Sequence, residues 1–322
     1  MNPGHNYRWS LVLLAMVCLA ACTRFPHAGP IKGPATYDQT MDLSTGGFQR
    51  SYRVHVPTGY DGHTRLPLVV VVHGAFDTAK GIEEISGFSR LADREDFIVL
   101  YPNGIGILGY LQHWNAGHCC GKAAEDDIDD VGYLAAAIED VSSRLAVERR
   151  RVYMVGFSNG GMLTYRFAAE RGDLLAAAAP MAASIGGRPS LDASEWRIPD
   201  PVKPLPLLVM HGLNDDDIPY VGGRSDHRGG ERTYWSVDSS VSFWLENNGC
   251  AEPPSETRLA RGAVRVRTWE TCRSEAVVAL YLIEKWGHVW PGPYFTDELS
   301  DEDPLYNFDA AEVVWEFFER FK

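Results

Sequence analysis

The chain has 322 residues, of which 45% are hydrophobic and 11% aromatic, and it carries a formal net charge of −13. This length and apolar content suffice for one large α/β domain or two smaller ones. The negative charge argues against nucleic acid as a partner, because phosphate binding requires clustered Lys and Arg side chains.

The N-terminus predicts export. Arg8 precedes a short apolar run over residues 11–21, which is too short to span a bilayer and ends directly before Cys22. The sequence Leu-Ala-Ala-Cys at this point resembles a bacterial lipobox, so we predict a lipoprotein-type signal peptide over residues 1–21 and lipidation of Cys22. Membrane contact is then expected only through that N-terminal lipid anchor. The alternative is an ordinary secretory signal, which would make the protein extracellular or periplasmic.

Cys18 leaves with the signal peptide and Cys22 is expected to be lipidated, so four cysteines remain. In an oxidising compartment they allow two disulfides. We expect Cys250 to pair with Cys272, and the adjacent Cys119 and Cys120 either to form a vicinal ring or to stay reduced. No Cys/His cluster has the spacing of a structural zinc site.

The rest of the chain predicts a tether over residues 22–45 and one catalytic domain over residues 46–322. Continuous apolar runs alternate with helical stripes, which is typical of an α/β fold with a doubly wound, mostly parallel sheet and helices on both faces. The expected strands are 52–56, 68–72, 97–100, 152–155, 176–179, 207–210 and 277–282. Apolar helical stripes cover 128–145, 237–245 and 310–321, and loops are expected at 186–206 and 221–234.

One pentapeptide predicts a nucleophile. Ser158 lies in Gly-Phe-Ser-Asn-Gly, between a β-branched strand and a helix start. A serine in such a sharp turn presents its hydroxyl, and glycines two residues away avoid clashes with the neighbouring strand and helix. This pattern indicates the nucleophile turn of an α/β-hydrolase.

A serine nucleophile needs a histidine base and a carboxylate that orients it, in the chain order Ser, acid, His. Three consecutive aspartates, Asp215, Asp216 and Asp217, follow the strand 207–210 and leave the choice of acid open at this point. His288 follows the last predicted strand and is the expected base.

The oxyanion of the reaction needs two backbone donors. We expect the N–H of Asn159 and that of Ala75, with Phe76 as the second choice for the latter. His73 is as well explained by a core histidine bonded to a carbonyl as by a catalytic role, so we assign it only to the structure of the loop.

Several motifs together resemble the polyhydroxybutyrate depolymerase and feruloyl esterase group, which are secreted serine esterases related to family-one carbohydrate esterases. The resemblance covers roughly residues 50–320 and is carried by segments at 73–74, 114–115, 129–132, 156–161, 211–220 and 287–292. The group's pattern implies that Asp215 is the acid, that Ile218 replaces a valine, and that no cofactor is needed. Many relatives have a cysteine where this chain has Ala75, so a disulfide that anchors the oxyanion loop is absent here.

Aromatic residues near these motifs are candidates for a wall that binds a phenolic or sugar-linked acyl group. They are Trp114, Tyr220, Trp290 and Phe76. Core packing is the alternative for the two tryptophans and Tyr220.

Acidic residues at 126–130 are better explained by a helix N-terminus than by calcium, because they lack the alternating spacing and Gly turn of a calcium loop. We therefore predict no metal site.

The sequence thus predicts a serine esterase acting on small or oligomeric esters, such as hydroxybutyrate oligomers or feruloyl and acetyl esters of plant polysaccharide. A non-catalytic envelope lipoprotein with a binding role and a peptidase of the same fold are the alternatives. The sequence does not determine the oligomeric state.

Overall fold

A ten-stranded mixed sheet organises the chain in the computed structural model, which describes residues 31, 33–107, 109–227, 231–251 and 253–322. The predicted signal peptide and Cys22 lie outside the described residues. The strands are β1 (Ala35–Thr45), β2 (Phe48–Val56), β3 (Leu66–Val72), β4 (Ile98–Pro102), β5 (Ile105–Ile107), β6 (Tyr110–His113), β7 (Val147–Phe157), β8 (Ala177–Met181), β9 (Gly186–Arg188), β10 (Trp196–Arg197), β11 (Leu207–Gly212), β12 (Gly223–Ser225), β13 (Arg232–Tyr234), β14 (Ser255–Leu259), β15 (Val264–Trp269) and β16 (Val278–Ile283).

Helices connect these strands. They are α1 (Ala79–Ser86), α2 (Phe88–Glu95), α3 (Gly121–Glu125), α4 (Asp130–Arg144), α5 (Asn159–Arg171), α6 (Val237–Asn248), α7 (Pro293–Thr296) and α8 (Ala310–Phe318). Short 3-10 turns lie at Gly172–Leu174, Ala260–Gly262 and Arg273–Glu275. None of the described helices has the length and apolar character needed to cross a membrane.

The sheet order is β1-β2-β4-β3-β7-β8-β11-β16-β15-β14. The six central strands, from β4 to β16, are parallel, and antiparallel strands close both edges. Strands β3 and β4 are buried along their whole length, as expected for parallel strands covered on both faces. All seven predicted strands are present, and this is the α/β-hydrolase arrangement that the sequence predicts.

Two hydrophobic cores lie on opposite faces of the sheet. Leu134 of α4, Leu163 of α5 and Trp244 of α6 pack on one face. Ile82 of α1 and Val314 of α8 pack on the other. The helical stripes predicted from the sequence therefore cover both faces of a doubly wound sheet.

The predicted tether is wrong over its second half. Residues 35–45 form β1, which pairs antiparallel with β2 at the edge of the sheet. Gln39 and Met41, two residues apart, turn inward and are buried. These two are the only buried residues of the strand, and most of the others are polar. The sequence therefore gives little indication of a strand here.

The predicted loops at 186–206 and 221–234 contain a second, four-stranded antiparallel sheet with the order β10-β9-β13-β12. Its strands are two or three residues long. Such short strands leave almost no periodic signal in a sequence.

Cys250 and Cys272 are joined in the structure as a disulfide across 22 residues. The bond links the chain just after α6 to the segment that follows β15. It thereby fastens an antiparallel edge of the sheet to a helix of the first core.

We expect the double variant Cys250→Ser/Cys272→Ser to lose about 3 kcal/mol of unfolding free energy, because the unfolded chain regains the entropy of a loop of this length. Urea unfolding measures it. Dithiothreitol reduces the Cys119–Cys120 pair as well, so the control adds it to both proteins. It should destabilise the native chain much more than the double variant, which lacks only the Cys250–Cys272 bond. Equal unfolding free energies of the native chain and the double variant without dithiothreitol would show that the Cys250–Cys272 bond does not form.

Candidate active site

Ser158 occupies a strained turn between β7 and α5. Its backbone φ is +57°, in a region that residues other than glycine rarely adopt. Its N–H donates to the carbonyl of Met181 at 3.0 Å. A Cβ at Gly160 would collide with the carbonyl oxygens of Val72 and His73. The glycine is therefore required because the start of α5 packs directly on the end of β3.

The three predicted catalytic side chains form one hydrogen-bonded chain. His288 Nε2 lies 2.7 Å from Ser158 Oγ, and His288 Nδ1 lies 2.8 Å from Asp215 Oδ2. The carboxylate accepts from Nδ1–H, which leaves Nε2 as the acceptor for the serine hydroxyl. Ser158 follows β7, Asp215 follows β11 and His288 follows β16, so the loops at one edge of the sheet bring the residues together.

Asp215 is the aspartate of the three that contacts Nδ1. It is buried, and its Oδ1 accepts from the N–H groups of Asp217 and Ile218 at 3.0 and 2.8 Å. These donors fix the orientation of the carboxylate. Asp216 is exposed. His211 lies behind this loop and donates from Nε2 to the Ile218 carbonyl at 2.8 Å, and burial lowers its pKa.

The two proposed oxyanion donors lie in the wall of the same cavity as Ser158 and His288. Asn159 is the first residue of α5, so its N–H has no partner within the helix. The N–H of Phe76 donates to the Gln112 carbonyl at 2.8 Å. This bond occupies the N–H of Phe76, so Ala75 remains the predicted second donor.

His73 holds the loop that follows β3. Its Nε2 accepts from the Gly104 N–H at 3.1 Å, so the proton is on Nδ1, which donates to the Gly74 carbonyl at 2.7 Å. The ring is fully buried, and this burial lowers its pKa to about 4. A neutral structural imidazole is the result.

The Asn159 side chain holds the loop that contains Trp114 through two hydrogen bonds. Its Oδ1 accepts from the Trp114 N–H at 2.8 Å and its Nδ2 donates to the Trp114 carbonyl at 3.1 Å. The next N–H, that of Asn115, donates to Asp130 Oδ2 at 2.7 Å. Asp130 forms a fully buried ion pair with Arg50 at 2.8 Å. A charged pair in the core is thereby connected to the residue after the nucleophile.

The cavity beside Ser158 has a volume of about 520 Å³. Of the four aromatic residues predicted to bind substrate, Phe76 lies in its wall and is 44% exposed. Trp114 and Trp290 are wrong as wall residues, because both are buried in the core. Trp114 donates from Nε1 to the His73 carbonyl, and Trp290 packs edge-on against Phe157.

Tyr220 is also wrong as a wall residue. It does not line the cavity, and its hydroxyl donates to the Asp238 carboxylate at 2.8 Å. It therefore fastens the acid-bearing loop to α6.

Several cavity residues were not predicted. Burial lowers the pKa of His113, and it lowers that of His118 to about 3, so both rings are neutral. Arg232 donates from Nη1 to Cys119 Sγ at 2.8 Å and to Cys120 Sγ at 3.2 Å. The structure pairs these two sulfurs. All five residues line the cavity, but they come from segments that carry no recognisable motif.

The contacts of the acidic residues at 126–130 agree with the predicted helix N-terminus. Asp129 caps α4 by accepting from the Gly132 N–H at 2.7 Å, and Asp127 accepts from Asn115 Nδ2 at 3.1 Å. Among the described residues, no group of three or more His, Cys, Asp or Glu side chains is arranged to hold a metal ion.

We expect Gly160→Ala to lower the free energy of unfolding by at least about 2 kcal/mol, because the new methyl group meets rigid backbone carbonyls. Gly172→Ala is the matched control, since its Cβ would meet only side-chain atoms near 4 Å and its φ of −56° suits alanine. Chemical denaturation measures both. Equal stability of the two variants would contradict the packing described for the turn.

The chain is similar in sequence to known esterases. Residues 50–189 match the family model described as Esterase PHB depolymerase. Feruloyl esterase B of Piromyces equi is 29% identical over 74% of this chain, and poly(3-hydroxyalkanoate) depolymerase C of Paucimonas lemoignei is 30% identical over 54% of it. The chain spans 42% and 39% of the lengths of these two relatives.

Solved structures support the fold. An acetyl xylan esterase from Aspergillus awamori matches with a TM-score of 0.58 at 14% identity, over 88% of this chain and 98% of that one. The resemblance inferred from the sequence motifs is thus confirmed: residues 50–189 are similar to the esterase PHB depolymerase family, and the chain has an α/β-hydrolase fold.

Proposed function

We propose that the protein is a serine esterase that hydrolyses carboxylic esters through an acyl-enzyme. The observation that carries the proposal is the hydrogen-bonded chain from Asp215 through His288 to the Ser158 hydroxyl, which ends in a cavity large enough for a small acyl group. Each member follows the end of a strand, and further hydrogen bonds hold Ser158 and Asp215.

In the first half-reaction, Ser158 Oγ attacks the ester carbonyl carbon and its proton moves to His288 Nε2. Asp215 stabilises the imidazolium that forms. The N–H groups of Asn159 and Ala75 stabilise the oxyanion. The carbon–oxygen bond to the alcohol then breaks, and the alcohol leaves with the proton from Nε2.

In the second half-reaction, water attacks the acyl-enzyme and gives a proton to His288 Nε2. Collapse of the second oxyanion breaks the bond to Ser158, which regains its proton, and the carboxylic acid leaves. The chemistry needs only groups of this chain and water, so we propose no cofactor.

Substrates are proposed from the relatives and the cavity. The matched relatives are named for feruloyl esters and poly(3-hydroxyalkanoate), and the matched structure for acetyl xylan. A cavity of about 520 Å³ suits a small or oligomeric ester. We further propose export and anchoring through Cys22. The Cys250–Cys272 pair supports export, since such bonds persist in oxidising compartments.

We expect Ser158→Ala to abolish turnover and Asp215→Asn to lower kcat by about 10⁴-fold, because the histidine loses its correct tautomer. Asp216→Asn is the matched control: it removes the same charge one residue away at an exposed position and should change kcat less than about threefold. Initial rates with p-nitrophenyl butyrate measure all three. Loss of activity in Asp216→Asn together with retention in Asp215→Asn would contradict the assignment of the acid.

We also expect faster hydrolysis of soluble aryl esters than clearing of polyhydroxybutyrate granules, because a cavity of this size accepts one chain end at a time. The measurement compares rates per mole of enzyme on four kinds of substrate: feruloyl esters, acetyl-xylan, hydroxybutyrate oligomers and polyhydroxybutyrate granules. Granule clearing that exceeds the rates on all soluble esters would overturn the substrate proposal.

A further inference from the structure

Trp114 is hydrogen-bonded to both segments that carry the proposed oxyanion donors. Its backbone N–H donates to Asn159 Oδ1 at 2.8 Å, and its carbonyl accepts from Asn159 Nδ2 at 3.1 Å. Its indole Nε1 donates to the His73 carbonyl at 2.9 Å. The N–H of Asn159 is one proposed donor, and His73 lies two residues before Ala75, whose N–H is the other. One buried residue therefore connects the two donors.

The loop that carries Ala75 passes close to the nucleophile. A Cβ added at Gly74 would lie 3.3 Å from Ser158 Cβ. The His73 carbonyl belongs to the peptide bond that leads into Gly74, and the hydrogen bond from Trp114 fixes the orientation of that peptide. The His73 ring also packs against the indole, with 4.8 Å between the ring centroids. The orientation of the backbone just before Ala75 thus depends on Trp114.

Trp114 is itself anchored in the core. Its carbonyl accepts a second hydrogen bond, from the Cys120 N–H at 3.0 Å. The N–H of the next residue, Asn115, donates to Asp130 Oδ2 at 2.7 Å, and Asp130 is paired with Arg50 at 2.8 Å. Both charged side chains are fully buried. Because these contacts lie outside the two segments that Trp114 joins, they give both segments a common fixed reference.

We propose that Trp114 is a positioning residue that holds the two oxyanion donors at the separation which the tetrahedral oxyanion requires. The inference rests on the esterase function proposed above. Trp114 does not line the cavity, so it acts through the backbone of Ala75 and Asn159. The oxyanion exists only during the two chemical steps, and loosening the bridge should therefore lower kcat and kcat/KM by the same factor.

The first test is Trp114→Phe, which removes the indole N–H and keeps the backbone bonds to Asn159. We expect kcat on p-nitrophenyl butyrate to fall about tenfold while KM changes less than about twofold, because a displaced donor stabilises the oxyanion less well.

Trp315→Phe is the matched control. Trp315 is also buried, in the core on the opposite face of the sheet, and its Nε1 has no hydrogen-bond partner among the described residues. This variant should change kcat less than about twofold. An unchanged kcat in Trp114→Phe, or an equal fall in Trp315→Phe, would overturn the proposal.

An inhibitor separates positioning from a general loss of folded protein. Propyl trifluoromethyl ketone has the carbon chain of the butyryl group. Ser158 Oγ adds to its carbonyl carbon, the proton moves to His288 Nε2, and the carbonyl oxygen becomes an oxyanion held by the same two donors. Its Ki does not depend on the fraction of active enzyme. We expect Ki in Trp114→Phe to rise by about the factor by which kcat/KM falls. An unchanged Ki would overturn the proposal.

Asn159→Ala tests the other end of the bridge. It removes both bonds to the Trp114 backbone and keeps the Asn159 N–H, and kcat should fall by roughly tenfold to a hundredfold. If both residues act through one bridge, the double variant with Trp114→Phe should be about as slow as the slower single variant. Effects that multiply would show independent action and would overturn the proposal.

Hydrogen exchange provides a measurement on the native chain, which decides the matter if the variants do not fold. The backbone N–H and indole N–H of Trp114 should exchange as slowly as the amides of β3, because a bridge that fixes the donors must itself be rigid. Exchange at the rate of an exposed loop would overturn the inference. Failure of the native chain to hydrolyse p-nitrophenyl butyrate would instead contradict the proposed function.

Discussion

The turn at Ser158 is the constraint on which the rest of the site depends. A backbone φ of +57° at a non-glycine residue costs free energy, and it persists only because the surrounding packing leaves no alternative. Gly156 and Gly160 allow β7, α5 and β3 to approach closely around it. Because β3, β7, β8, β11 and β16 are adjacent and parallel, the loops after them meet at one edge, where the turn presents the hydroxyl.

The loop that follows β3 shows how the geometry is maintained without a covalent anchor. This loop contains Ala75, and hydrogen bonds hold it in place. His73 bonds the Gly104 N–H, and Phe76 bonds the Gln112 carbonyl. The Asn159 side chain joins the nucleophile turn to Trp114. Buried hydrogen bonds of this kind fix one arrangement of the backbone, as long as each partner is satisfied.

The sequence predicts the central sheet, and it predicts that Ser158, Asp215 and His288 lie together, because apolar runs mark buried parallel strands and glycine motifs mark the turns between them. Trp114 and Trp290 show where such prediction ends: proximity to a motif does not reveal which way a side chain points. The edge strand β1 and the short strands near the cavity carry too little periodicity to detect. The hydrogen bonds of Trp114 depend on how separate loops fold together, which no local pattern encodes.

The proposed function requires Ser158 to be a nucleophile activated by His288. Reaction of the folded protein with a fluorophosphonate probe, followed by peptide mass spectrometry, tests it most directly. We expect one adduct per chain, located on Ser158, and greatly slowed labelling in His288→Ala. Absence of an adduct on Ser158 in the folded native chain, or labelling that is unaffected by loss of the imidazole, would contradict the account and favour a binding role for the fold.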